Sequence, residues 1–246
     1  MTDRVRIPTA ILLIVVPLLF NLFFFLLGGA FDYPGILREP AGEVPRRFAE
    51  GGPSLILLWY GFALTPALFI PAAILLRRAF PAGMAALDLV APLAVLAGLT
   101  QVLGLIRWPF LVPELARTFL DPAADEATRA AALTVVAAFH RYAGVAVGEH
   151  LGYLFTAAWT LVIAGAMVAA PGFRSWLGWV GAVSAAGILV GLLEPAGFAM
   201  AGAINAVAYI VWSLWLVAVG VVLLRGTFSA PSDGAAGPAI PGNAGV

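Results

Sequence analysis

Six long apolar stretches divide this sequence, and they limit its fold more than any other feature does. They cover residues 8–29, 54–76, 86–106, 147–169, 176–196 and 204–224. A helix needs about 20 mostly apolar residues to cross roughly 30 Å of hydrocarbon. Hydrophobic residues make up 62% of the chain and charged residues 11%, which excludes a soluble enzyme and a disordered chain. The sequence therefore predicts an all-α, polytopic membrane helical bundle with six transmembrane helices.

Residues 121–144 separate the third and fourth apolar stretches and fit neither a loop nor a span. The segment is rich in alanine and favours a helix, yet it carries several charges, among them Asp125, Glu126, Arg129 and Arg141. Charged side chains within a span are costly, so we predict a helix that lies at the membrane interface. A seventh transmembrane helix is the alternative.

Arginines indicate how the six spans are oriented. With six spans, one face of the membrane holds Arg4, Arg6, Arg77, Arg78, Arg174 and Arg225. Positive charges in short loops favour the cytoplasmic side, which predicts that both termini are cytoplasmic. A seventh span would move Arg174 and Arg225 to the other face, so six spans agree better with this rule.

The last residues differ in composition from everything before them. Residues 227–246 are mostly Gly, Ala, Pro and Ser and cannot bury enough apolar surface to order themselves. We therefore expect a single transmembrane domain, residues 1–226, followed by a disordered tail.

Two missing residue types remove several kinds of chemistry. The chain has no cysteine, and all 13 of its basic residues are arginine, so lysine is also absent. This excludes thiolate catalysis, cysteine-ligated zinc, iron–sulfur clusters, Schiff-base cofactors and a Walker-type lysine. The 13 acidic residues balance the arginines, so no nucleic-acid partner is expected. His140, Glu149 and His150 lack the spacing of a metal site, and we expect neither metal nor cofactor.

Polar side chains of the predicted spans concentrate at one depth. The outer half of the membrane would contain Asn21, Gln101, Arg107, Glu149, His150, Glu194 and Asn205. Glu194 shares a helix face with Gly187 and Gly191, which predicts that it points into the bundle. Hydrogen bonds between helices and solvated helix ends would explain these residues one by one. Their common depth favours a shared site instead.

The segment HRYAGVAVGEHLGY, residues 140–153, contains both histidines and is the richest in ionisable groups. A glutamate desolvated near the interface can exchange protons near neutral pH. The candidates for acid–base catalysis are Glu149, Glu194 and His150. The candidates for ligand binding are Gln101, Arg107, His140, Arg141, Tyr153, Asn205, Tyr209 and Trp212.

The C-terminal half resembles a known family. The runs PGFRSWLGWVGAVSAAGILVGLLEP and NAVAYIVWSLWLVAVGVVLLR are similar to a bacterial family of multi-pass membrane proteins catalogued as a domain of unknown function. The stretch GEHLGYLFTAAWTL is similar as well, and the resemblance covers about residues 90–226. It implies a compact helical bundle in the bacterial inner membrane and no particular activity.

Three functions agree with these observations. The first is a cavity in the outer leaflet that binds a lipid, an isoprenoid or another apolar small molecule. The second is a metal-free membrane enzyme, of the isomerase or cyclase type, with Glu149 and Glu194 as acid and base. The third is an accessory subunit of a larger membrane complex. The expected partner is a membrane lipid or apolar small molecule, and self-association or a larger complex stays open.

Overall fold

The protein is described by a computed structural model covering residues 1–170 and 173–226. The described residues form nine α-helices and a π-helical segment: α1 (Asp3–Phe31), α2 (Glu43–Leu76), α3 (Val90–Leu105), α4 (Arg107–Phe110), α5 (Val112–Leu120), α6 (Glu126–Phe139), the π-helical segment (His140–Leu151), α7 (Gly152–Ala169), α8 (Ser175–Val190) and α9 (Ala201–Leu224). Short 3-10 turns connect several of them. The tail predicted at residues 227–246 lies outside the described residues.

Six helical runs are long and apolar enough to cross a membrane, which confirms the predicted all-α bundle. They are Asp3–Phe31, Glu43–Ala79, Ala85–Leu120, Glu126–Ala169, Ser175–Ala196 and Ala201–Leu224. Each contains one of the six apolar stretches of the sequence. The chain is therefore a multi-pass membrane protein, and the alternative with a seventh span is not supported by the described part of the chain.

The charged segment between the third and fourth spans belongs to the fourth helical run. Helix α6 continues through the π-helical segment into α7 without leaving helical backbone angles, so Glu126–Ala169 is one run of 44 residues. At 1.5 Å per residue this run is roughly 66 Å long, about twice the thickness of the hydrocarbon layer. The charges lie in the half that a bilayer does not need to cover. The helix predicted there exists, but it extends the fourth span and packs against α5.

The spans pack as a ring in chain order. Each spanning helix contacts its neighbours along the chain, through the pairs α1–α2, α2–α3, α3–α7, α7–α8 and α8–α9, and α9 closes the ring against α1. The guanidinium of Arg6, on α1, contacts the end of α9, because it donates to the carbonyl oxygens of Leu223 (2.9 Å) and Leu224 (3.2 Å). We call the end of the bundle that contains Arg6 and Leu224 the terminal end. The opposite end, which contains the cavity described below, is the cavity end.

Two apolar cores fill the ring. The larger one includes Phe69, Trp159, Trp212, Trp215 and Leu216, and the smaller one at the cavity end includes Phe31, Phe48, Trp59, Phe62 and Trp108. In the smaller core the rings of Trp59 and Trp108 stack, with centroids 4.3 Å apart. This aromatic cluster fixes α2 and α4 next to the loop that follows α1, and so supports one side of the cavity described below.

Candidate functional site

A cavity of about 320 Å³ lies at the cavity end of the bundle. Its wall is formed by helices α1, α2, α3, α4, α7 and α9, the π-helical segment and the loop after α1. Its polar lining residues are Asn21, Tyr33, Gln101, Arg107, Glu149, Tyr153, Asn205, Tyr209 and Ser213. Its larger apolar lining residues are Phe20, Phe24, Phe62, Leu105 and Ile210. The cavity therefore joins an apolar, aromatic wall to a group of polar and charged side chains.

Arg107 is the charged group held most firmly in this wall. Its side chain is 8% exposed, and its guanidinium donates to the carbonyl oxygen of Gly104. The guanidinium Nη2 lies 3.2 Å from Nδ1 of His140. Since arginine can only donate, Nδ1 of His140 must be the unprotonated acceptor of a neutral imidazole. His140 thus orients Arg107 from behind the cavity wall.

The π-helical segment makes room for this arginine. A Cβ atom at Gly144 would lie 2.5 Å from Nη2 and 2.7 Å from Cζ of Arg107, so only glycine lets the guanidinium rest against this helix. One turn further, a Cβ at Gly104 would lie 2.5 Å from Cα of Gly148, because α3 and the π-helical segment touch backbone to backbone. Gly104, Gly144 and Gly148 therefore define part of the cavity wall. Long π-helical stretches are rare and often occur at functional sites.

Glu149 faces the same cavity and has no hydrogen-bond or ion-pair partner in the part of the chain that the structure describes. It is half-buried, and Arg107 is near enough for an electrostatic interaction without forming an ion pair. Two opposite charges therefore meet one cavity without neutralising each other directly. This arrangement leaves both of them available to a third group.

Hydroxyl and amide groups surround the two charges. Tyr33 belongs to the loop after α1, where burial and the nearby Glu149 carboxylate raise its pKa to about 12, so its phenol stays protonated and can donate. The amide of Asn205 donates to the carbonyl oxygen of Ile188 (2.9 Å), and that of Gln101 to Thr156 Oγ1 (3.1 Å). These bonds fix the amides in place. Their carbonyl oxygens accept no hydrogen bond from the described residues and so remain available as acceptors.

The wall between α1 and α9 is the part of the cavity nearest to lipid. Nδ2 of Asn21 donates to Oγ of Ser213 (3.1 Å), which joins the two helices on the terminal side of the cavity. Beyond this bond the cavity is lined by Phe24 of α1 and by Ala206 and Ile210 of α9, all of which are also exposed on the outer surface. These exposed lining residues make the wall between α1 and α9 the candidate for a lateral opening of the cavity.

A second, smaller pocket of about 30 Å³ adjoins the cavity toward the bundle centre, and we call it the extension. It shares Phe20, Gln101, Tyr209 and Ser213 with the cavity and reaches Trp212. The indole N–H of Trp212 donates to Thr160 Oγ1 (2.8 Å), so its polar atom is already satisfied. Trp212 thus contributes an apolar surface to this extension.

The structure brings together most of the residues predicted from the sequence. The cavity is lined by Gln101, Arg107, Glu149, Tyr153, Asn205 and Tyr209, with Trp212 in the extension and His140 behind Arg107. Besides Trp212 and His140, three further candidates do not line it: Arg141 is exposed, His150 is half-buried beside Glu149, and Glu194 is exposed in the turn after α8. A Cβ at Gly202 would lie 3.8 Å from Oε2 of Glu194, which places this carboxylate at the rim of the cavity.

Sequence reasoning missed the aromatic side of the site. Phe20, Phe24, Tyr33 and Phe62 come from two spans and a loop whose composition is unremarkable for a membrane protein. One signal was available, because Phe20 and Phe24 flank Asn21 at a spacing of four residues, which puts them on one helix face.

Comparison with known proteins gives a family and no activity. No significant match is found among curated proteins or among solved structures. Residues 9–220 match the family described as a domain of unknown function (DUF4386). That match spans most of the chain and extends the resemblance seen in the C-terminal half to the first apolar stretch. The chain belongs to this DUF4386 family.

Proposed function

We propose that this protein binds a membrane-soluble amphiphile, a lipid, isoprenoid or similar molecule, in the cavity between α1, α3, α9 and the π-helical segment. The observation that carries the proposal is the pairing of an aromatic wall with Arg107 and Glu149, which face the cavity without an ion pair between them. Ligand sites of this kind are mostly apolar and contain a few fixed polar groups that orient the ligand.

Size and access support a molecule that is partly inside the protein and partly in the bilayer. A volume of about 320 Å³ is at the lower end of the range for small-molecule sites and equals the volume of roughly ten water molecules. It holds a head group and a short apolar portion. The exposed lining residues Phe24, Ala206 and Ile210 leave a lateral path through which a longer chain can remain in lipid.

Binding is favoured over acid–base catalysis by the position of Glu194. The enzyme hypothesis needs Glu149 and Glu194 on one substrate, within hydrogen-bond reach of the atoms that exchange protons. Glu149 lines the cavity, whereas Glu194 is exposed at its rim, close enough to interact with Glu149 electrostatically but without a hydrogen bond to it. The accessory-subunit hypothesis remains the alternative in which the cavity plays no part.

Co-purified lipid tests the binding proposal. We expect mass spectrometry of the purified full-length chain to detect a retained amphiphile, and the variant Ala206→Phe to lose most of it, because the new ring fills the lateral path. Ala203→Phe is the matched control, since residue 203 is also exposed on α9 but does not line the cavity. Equal retention by the two variants would show that the amphiphile is bound elsewhere.

We also propose that both termini are cytoplasmic and that the membrane is the bacterial inner membrane. The support is the set of arginines at the terminal end together with the positive-inside rule. The chain has no native cysteine, so single substitutions can be labelled without background. In intact cells a membrane-impermeant thiol reagent should label Ala123→Cys, in the loop before α6, and spare Ala82→Cys, in the loop after α2. The reverse pattern would invert the orientation.

A further inference from the structure

We infer that the head group bound in this cavity is zwitterionic: an anionic group contacts Arg107, and an ammonium group contacts Glu149. The phosphoethanolamine and phosphocholine heads of membrane phospholipids have this chemistry. The inference rests on the proposed function and specifies its ligand class. It follows from the two opposite charges that line the cavity, from the absence of an ion pair between them, and from the tyrosine rings that line the same cavity.

Arg107 provides the anion-binding end. A guanidinium carries five N–H donors in a rigid fork that matches the oxygens of a phosphate or carboxylate. Here one donor goes to the carbonyl of Gly104 and one to His140, and no described carboxylate forms an ion pair with the group. A charge with 8% exposure and no counter-ion in contact is costly. An anionic ligand atom would reduce that cost most.

Glu149 provides the cation-binding end. Its carboxylate has no donor of its own among the described residues, and Tyr33, Tyr153 and Tyr209 are close enough to interact with it electrostatically. An ammonium group is attracted both by a carboxylate and by the faces of aromatic rings. The half of the cavity around Glu149 therefore has the composition of a site for an ammonium group.

Other head groups satisfy only part of this arrangement. An anionic head without an amine would pair with Arg107 and repel Glu149. A neutral head would leave both charges without an opposite charge, and a cationic head would be repelled by Arg107. A zwitterion neutralises both at once and adds no net charge to the cavity, which lowers the desolvation penalty of binding. The lateral path by Phe24 and Ile210 then leaves its acyl chain in the bilayer.

The test compares four probes with the same acyl chain on the purified full-length protein in a neutral detergent. They are lysophosphatidylethanolamine, lysophosphatidylcholine, lysophosphatidylglycerol and monoacylglycerol. We expect both zwitterionic probes to bind about tenfold or more tightly than the anionic and neutral ones, as measured by calorimetry. If the ethanolamine probe binds more tightly than the choline probe, the ammonium group is recognised through hydrogen bonds from its primary amine. If the two bind equally, it is recognised through contact with the aromatic rings.

Glu149→Gln is the decisive variant, because Glu149 has no structural partner to lose. It should weaken both zwitterionic probes about tenfold and leave lysophosphatidylglycerol unchanged or slightly tighter, since a repulsive charge has gone. Glu126→Gln is the matched control: the same substitution on the same helical run, at an exposed position far from the cavity. Arg107→Lys keeps the charge but not the fork, and should weaken all three phosphate-containing probes without affecting monoacylglycerol.

The outcomes separate this inference from the proposal on which it rests. If lysophosphatidylglycerol or monoacylglycerol binds as tightly as the zwitterionic probes, the head-group inference is wrong and amphiphile binding stands. An unchanged preference in Glu149→Gln would also overturn the inference. If none of the four probes binds, and Ala206→Phe retains as much co-purified lipid as Ala203→Phe, the proposed function itself fails.

Discussion

The terminal end of this bundle uses glycine for close helix packing, whereas the cavity end uses it both to bring α3 against the π-helical segment and to make room for a buried side chain. At the terminal end, glycines bring helices together: a Cβ at Gly220 would lie 2.8 Å from the carbonyl oxygen of Ala10, and one at Gly178 would lie 2.7 Å from that of Ala164. At the cavity end, Gly144 instead accommodates the guanidinium of Arg107. Small residues in a membrane helix can therefore indicate either close helix packing or space for a buried polar side chain.

The two ends also differ in how their polar atoms are paired, although pairing in the larger core is incomplete, because the buried indole N–H of Trp159 has no hydrogen-bond partner among the described residues. The indole N–H of Trp215 donates to the carbonyl oxygen of Leu177 (2.8 Å), and that of Trp212 donates to Thr160 (2.8 Å) on the way to the bundle centre. At the cavity end the carboxylate of Glu149 faces open space instead. Pairing polar groups stabilises a bundle, whereas leaving them unpaired lowers its stability and makes them available to a ligand.

The largest effect is expected where the terminal end is most tightly packed. Gly178→Ala places a methyl group against backbone that cannot move aside, and should destabilise the protein by up to about 3 kcal/mol in a detergent denaturation experiment. Gly165→Ala is its control, because a Cβ there meets nothing within 4 Å. That variant should be neutral or stabilising by about 0.5–1 kcal/mol through helix propensity. Similar changes in stability for the two variants would show that α7 and α8 are less closely packed at Gly178 than described.

A smaller loss is expected from removing one paired polar atom. Thr160→Val keeps the side-chain shape but deletes the acceptor for the indole N–H of Trp212, and should cost about 1–2 kcal/mol of stability. Thr134→Val is the matched control, since Thr134 is exposed and bonds only to its own helix, at Ala130. If Thr160→Val is no more destabilising than this control, the hydrogen bond between Trp212 and Thr160 contributes nothing measurable to stability.

The sequence predicted the spans because they depend on one property, the length of each apolar stretch. It also predicted the common depth of the polar residues, since six spans of known order fix which helix ends share a face of the membrane. Gln101, Arg107, Glu149 and Asn205 come from three different spanning runs and line one cavity for this reason.

Other features depend on geometry that no single stretch encodes. The usual spacing of four residues does not apply in the π-helical segment, where hydrogen bonds reach one residue further along the helix, so the faces of residues 140–151 could not be assigned correctly. The same holds for Tyr33, whose position depends on how the loop after α1 folds back over the bundle. Glu194 was assigned to the site from its glycine stripe, but the helix ends at Val190 and the following turn leaves it exposed.

A double-mutant cycle on the two glutamates tests how far the cavity extends toward its rim. Glu149→Gln should change stability by no more than about 0.5 kcal/mol, or slightly increase it, because an unpaired, half-buried charge is removed. Glu194→Gln should be near neutral, and the coupling between the two should stay below about 0.5 kcal/mol. A larger coupling would place both carboxylates in one network and favour the enzyme hypothesis again.

The smallest effect is expected on α6, which lies in the half of the fourth helical run that a bilayer does not need to cover, and where polar groups are again paired. Oδ1 of Asp125 accepts a hydrogen bond from the backbone N–H of Thr128 (2.8 Å), and hydrogen bonding by the side chain and the backbone of Thr128 lowers the pKa of Asp125. Because the pKa is lower in the folded than in the unfolded chain, the stabilisation is complete above the unfolded value of about 3.9 and is lost as the pH falls through the folded one. Amide exchange in the first turn of α6 should therefore accelerate in acid.

The variant Asp125→Asn is the control, because its side chain keeps a hydrogen-bond acceptor that does not titrate. The exchange rate of the native chain is compared with that of this variant at each pH, which removes the intrinsic pH dependence of amide exchange. Asp125→Ala should exchange faster than both at neutral pH, and equal rates in all three would mean that this cap does not hold the start of the helix.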